Sequence, residues 1–229
     1  MERMNKEMDV KRINMEPVWS EEQSERVMKA YHFEKRDRAL LERTASSMLT
    51  ASSPVFAYIC DRELEKAGFQ PALVEGKYVL CCTTLGAGID ELQEELEGEQ
   101  KLMEAYMLEC ISMEMLSSLY EAGRKAMEDD LRKEGEASWH VISYDFLEGR
   151  EKWMREVIER MDFPVDYREG YLIPQKSVIY AARLSGNGEQ KQCGICETCT
   201  GRMNCPKKKN GSSSKELLYG YMRILGGKR

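Results

Sequence analysis

Tyr78-Val-Leu-Cys-Cys-Thr-Thr84, continued by Leu85-Gly-Ala-Gly88, is the stretch on which the reading of the fold turns. Its first seven residues are aromatic, apolar or β-branched and leave no polar side to face water. The run therefore predicts a strand buried on both faces rather than the alternating strand of a half-exposed sheet. The glycines then permit a tight strand-to-helix turn, and Asp90 and Glu91 suit the N-terminus of the helix that follows. Gly-Ala-Gly lacks both the third glycine of a dinucleotide fingerprint and the Gly-Lys-Ser/Thr of a P-loop, so turn geometry is preferred to a phosphate cradle.

Working outward, Val55-Phe-Ala-Tyr-Ile-Cys60 is a second β-rich run, set between Pro54 and a break at Gly68 and Pro71. From about Gln100 to Lys133 there is no proline. Leu102, Met103, Tyr106, Met107, Cys110, Met113, Leu116, Leu119 and Tyr120 recur at threes and fours, which predicts a long amphipathic helix. Its methionine stripe is assigned to core packing in preference to a soft binding surface. Trp139 to Phe146 reads as a strand or extended loop, and Arg150 to Met161 as a helix with Trp153, Val157 and Ile158 inward. Tyr171 to Ala182 reads as a hairpin-like strand pair broken at Pro174. Upstream, the first fifteen or so residues read as a loose arm; Ser20 and Gln23 suggest a capping box for an interrupted helix reaching about Thr50. Downstream, Ser185-Gly-Asn-Gly188 is a linker, Asn210 to Ser214 a spacer, and Lys215 to Leu225 a short helix. The plan is a helical arm (1–53), one core (54–185) and a small cysteine-rich module (186–229).

Composition narrows the function. The net charge of −6 is spread over mixed helical faces, which argues against nucleic acid, and Lys207-Lys-Lys209 reads as a solvated loop. No uninterrupted apolar run of about 18 residues offers a membrane span, and the charged opening MERMNKEMDV has no apolar signal core. A reducing cytoplasm is the expected compartment. Only two histidines, His32 and His140, are present; the first reads as a surface residue. No nucleophile elbow, His-Glu-x-x-His helix or papain-like cysteine signature occurs, and the many carboxylates read as solvated helix faces.

Of the eight cysteines, Cys60, Cys81, Cys82 and Cys110 lie in apolar surroundings and read as small core residues. The other four, Cys193, Cys196, Cys199 and Cys205, form C-x2-C-x2-C-x5-C followed by Pro206. Disulfides are disfavoured in a reducing compartment. Zinc would accept four such thiolates at about 2.3 Å, but structural zinc sites more often join two separated C-x2-C knuckles. Three cysteines in tight succession and a Cys-Pro end are closer to the bacterial ferredoxin run C-x2-C-x2-C-x3-C-P, with two residues added before the last cysteine. A [4Fe-4S] cluster is thus favoured, with zinc as the alternative and Lys207 to Lys209 available to offset cluster charge.

The segments Val79-Leu-Cys-Cys-Thr-Thr-Leu-Gly-Ala-Gly-Ile-Asp90, the long helix after them, and Tyr171-Leu-Ile-Pro-Gln-Lys-Ser-Val178 with a cysteine-containing tail resemble the activation domain of vitamin B12-dependent methionine synthase, and more closely its free-standing bacterial relatives. The likeness covers roughly residues 50 to 206. It implies an α+β fold: a twisted, mainly antiparallel sheet with flanking long helices, here with a C-terminal cysteine-rich metal module. In the synthase that domain binds S-adenosylmethionine and caps cobalamin while cob(II)alamin is reduced and remethylated. The resemblance carries over at Thr84, Leu85, Gly86, Asp90, Pro174, Lys176, Ser177 and Val178. The ligand loop of the family, of Arg-x-Ser-Pro/Ala-Gly-Tyr type, should fall in Val141 to Gly149, where Ser143 matches but the arginine and proline are absent. Without that arginine the ligand carboxylate loses its pairing, which speaks against S-adenosylmethionine. Candidate cofactor-contacting positions are Ser143, Tyr144, Pro174, Lys176 and Ser177. The function so implied is an accessory redox protein that reactivates the cobalamin of a corrinoid protein or methyltransferase, with a non-enzymatic binding or assembly module as the alternative.

Overall fold

The computed structural model describes residues 9–66, 77–133, 138–142, 151–169, 171–185 and 222–224. In chain order its elements are β1 (Lys11–Pro17), α1 (Glu21–Ala30), a 3-10 turn (Lys35–Asp37), α2 (Arg38–Ala51), β2 (Val55–Cys60), α3 (Asp61–Lys66), β3 (Tyr78–Thr84), α4 (Gly88–Gly98) and α5 (Leu102–Lys133). There follow β4 (Ser138–Ile142), α6 (Glu151–Arg160), β5 (Asp166–Arg168), β6 (Tyr171–Ile173), β7 (Ser177–Ser185) and β8 (Met222–Ile224). The protein is α+β.

All seven residues of β3 are buried, as a strand with two apolar faces requires. It lies inside a six-stranded sheet of order β4-β7-β3-β2-β1-β8, in which every neighbouring pair is antiparallel. Val79 and Cys81 point into one core, built with α1, α2, α4 and α5; Tyr78, Leu80 and Cys82 point into the other, built with α3, α6 and the small β5-β6 hairpin. The sheet is therefore the middle of three layers. Tyr120 of α5 meets Tyr180 of β7 with ring centroids 4.8 Å apart, and Gly123 lets α5 pass over Phe56 of β2, where a Cβ would come within 2.1 Å of the ring. On the other face Met154, Val157 and Ile158 of α6 are buried, with Trp153 packed at their margin.

Three expectations need correction. The supposed loose arm holds a strand: Lys11–Asn14 pair with β2, Met15–Pro17 pair with β8, and Met15 is buried. Ile13 and Met15 alternate with Arg12, Asn14 and Glu16, a period of two that a search for helical spacing passes over. The supposed terminal helix ends differently as well, since Met222–Ile224 form an edge strand against β1; tertiary pairing overrides local propensity there. Finally, β6 and β7 do not pair across Pro174. β6 joins β5 in a separate two-stranded sheet while β7 runs between β3 and β4, so the proline marks a change of sheet rather than a hairpin turn.

The interrupted N-terminal helix is α1 and α2. Ser20 caps α1 by accepting the Gln23 amide at 3.3 Å, and His32, exposed at φ 59°, lies in the break.

Candidate functional site

The two sequence motifs singled out above meet at one place. β3 ends at Thr84, whose Oγ1 accepts the Gly86 amide at 3.1 Å and the Ser177 hydroxyl at 2.7 Å. The Leu85 amide donates to the Lys176 carbonyl at 2.9 Å, while the Leu85 carbonyl accepts the Ser53 amide at 2.8 Å. Asp90, in the first turn of α4, accepts the Gln175 amide through Oδ2 at 2.8 Å. Lys176 extends from the same link between β6 and β7 to α5, its Nζ donating to Glu109 Oε2 at 2.6 Å. Pro174 is buried beside this junction in sequence, and Val178 packs against the first core.

Thr84, Leu85 and Asp90 are thus joined directly to Ser177, Lys176 and Gln175, across more than eighty residues of chain. Each polar group named here already has a hydrogen-bond partner within the protein. The arrangement clamps the start of α4 to the start of β7. As chemistry it offers two charged side chains, Asp90, which holds the Gln175 amide, and Lys176, nearly buried and neutralised by a half-exposed glutamate.

The thiols of the core are inert by environment. Burial pushes Cys81 and Cys82 well up, and for Cys81 this outweighs the hydrogen bond from Tyr180 that acts in the opposite sense. Cys81 also donates to Met127 Sδ at 3.3 Å. Burial likewise raises Cys110 to about 11. Protonated thiols are poor ligands and poor nucleophiles, which accords with their reading as core residues. Among the described residues no group of three or more His, Cys, Asp or Glu side chains converges to hold a metal ion. Cys193, Cys196, Cys199 and Cys205, together with Ser143 and Tyr144, lie outside the described residues; for His140 the backbone is placed in β4 and the side chain lies outside them.

Two features escaped the sequence reading. Carboxylates taken as solvated include a buried set on α5. Arg124 donates to Glu121 at 2.9 Å and to Glu128 at 3.3 Å, Arg132 donates to Glu128 at 2.6 Å, and Tyr31 donates to the buried Glu114 at 2.9 Å. The i,i+3 and i,i+4 spacing of these pairs was visible, but not that the side would be covered. The second is a cleft of about 310 Å³ at the Cys60 and Lys77 ends of β2 and β3, opposite the α4 turn, lined by Cys60, Asp61, Arg62, Glu65 and Lys77 with Leu131 and Leu184. Its two acids and two bases give it no net preference for one sign of ligand.

No family model matches the chain, and no curated protein matches it. Among the described residues no helix is long and apolar enough to cross a membrane.

Proposed function

We propose that the chain is an accessory redox protein for a cobalamin-dependent methyltransferase or corrinoid protein, acting as a reductive activase through its C-terminal cysteines. The observation that carries the reading is the spacing C-x2-C-x2-C-x5-C-P at Cys193 to Pro206, a donor set that fits a [4Fe-4S] cluster. Cys193, Cys196, Cys199 and Cys205 would hold the cluster, with Lys207 to Lys209 lowering the cost of its negative charge. When bound, such a cluster supplies a single low-potential electron, the change that separates Co(II) from Co(I); a separate one-electron donor must recharge it. The core supports this division of labour. Burial holds the protons on Cys81, Cys82 and Cys110, and the polar groups carried over by resemblance are engaged with one another, which suits a rigid platform that seats a partner while the tail does the chemistry. The same engagement favours a second reading, in which zinc or a static cluster braces the tail and the protein only clamps a corrinoid partner.

Metal content of protein purified without oxygen decides between them. About four irons and four sulfides per chain, a broad visible absorption bleached by dithionite, and loss of both in Cys196→Ala are the expected outcome. One zinc and a colourless solution would transfer the assignment to the clamp. A loaded cluster that leaves the reduction of cob(II)alamin proteins unchanged would remove the activase reading.

A further inference from the structure

The methionine-rich face of α5 divides in two. Met107 and Met115 are buried in the core, but Leu102, Met103, Tyr106 and Met113 are 68%, 48%, 51% and 44% exposed. Leu102, Tyr106 and Met113 are spaced by four and seven and so share one stripe, with Met103 beside it. Phe33 extends the patch, standing edge-on to Tyr106 at 5.7 Å. Single exposed apolar side chains are ordinary on soluble proteins; several large ones on one side of a helix are the pattern of an interface.

The border of the stripe has a definite charge. α4, which packs on α5 and leads into it through Glu99, Gln100 and Lys101, carries Asp90, Glu91, Glu94, Glu95 and Glu97 and no lysine or arginine. Glu99 and Glu104 continue the series. The single cation in residues 88–104, Lys101, is bound to Glu99 at 2.6 Å and is further influenced by Glu104 and Glu95, so it does not offset the remainder.

We propose that this face seats a basic amphipathic helix of a partner protein, its apolar side over Leu102, Met103, Tyr106 and Met113 and its lysines or arginines against the carboxylates of α4. An apolar row flanked along α4 by carboxylates alone suits helix-in-groove recognition, and the sign of that flank selects the partner. A second copy would bring two acidic borders together across a twofold contact, and the phosphates of a membrane or nucleic acid would meet the same repulsion. The inference is independent of the metal in the cysteine tail.

The test uses the full chain and a labelled helical peptide of about 18 residues with Leu and Lys in heptad spacing, read by fluorescence anisotropy. Two counterparts replace every Lys by Glu or every Leu by Ser. The Leu/Lys peptide should bind, and both counterparts should fail. Affinity should fall at least about tenfold in Leu102→Ser/Met113→Ser and again in Glu91→Gln/Glu94→Gln/Glu95→Gln, with melting curves unchanged. Neutralising Glu21, Glu65 and Glu159 instead should leave binding intact. The proposal is overturned if the Leu/Lys peptide does not bind, if the Glu peptide binds as well, or if both the stripe and border variants bind like the parent. It is equally overturned if sedimentation shows a dimer that the stripe variant abolishes, since the face would then belong to a second copy.

Discussion

Gly86 sits at φ 93°, and a Cβ placed there would lie 2.0 Å from Ser53 Oγ. Gly86→Ala must therefore hold an L-residue in the left-handed region and displace the segment that hydrogen-bonds to Leu85; a loss of about 1–3 kcal/mol is expected in urea unfolding. A turn at this glycine was legible from Leu-Gly-Ala-Gly alone. What Asp90 does was legible only in part: an acid at a helix start is a local signal, but its acceptance of the Gln175 amide depends on a chain segment 85 residues away. The same holds for Thr84 and Ser177, since a hydroxyl's partner is set by strand register and not by its neighbours in sequence. Cys110 gives a prediction in pH. Its folded value is raised from 9.0 to about 11 by burial, so the folded state holds the thiol proton more tightly than the unfolded chain does. The stability this contributes is complete below pH 9 and is lost as pH rises through 11. Urea midpoints between those limits should fall less steeply for Cys110→Ala than for the parent, whatever its packing loss does to their absolute level.

At the scale of elements, β1 carries the largest consequence. It covers β2 on one side, accepts β8 on the other, and its Arg12 donates to the carbonyl oxygens of Met161 and Asp162 at the end of α6. Deleting residues 1–17 should cost more than the roughly 2–3 kcal/mol of Met15 burial alone, and the bared edge of β2 should aggregate; urea unfolding and light scattering check both. Elements with strong internal signals, β3 and α5, were read with their correct type and near their limits. The error at β6 and β7 has a physical origin: two apolar runs separated by a proline look alike whether the chain reverses there or moves to another sheet. The methionine stripe of α5 was ambiguous for a related reason. Helical spacing places residues on faces, but which face meets the sheet is settled by the opposing layer, and here the assignment to core packing holds for Met107 and fails for Met103 and Met113.

For the molecule as a whole, the sequence suggested a core of residues 54–185, whereas the sheet draws one strand from before that span and one from after it. In the sheet order β7 and β8 stand four strand spacings apart, or roughly 19 Å. The adjacency of β1 and β8 has a further consequence for how the gene could be rewritten. The first and last described strands run side by side, with Ile224 opposite Met15. A permuted gene that links Ile224 to Lys11 with a short glycine-serine bridge and opens the exposed Glu99–Lys101 turn should encode the same sheet, with amide exchange in β3 as slow as in the parent.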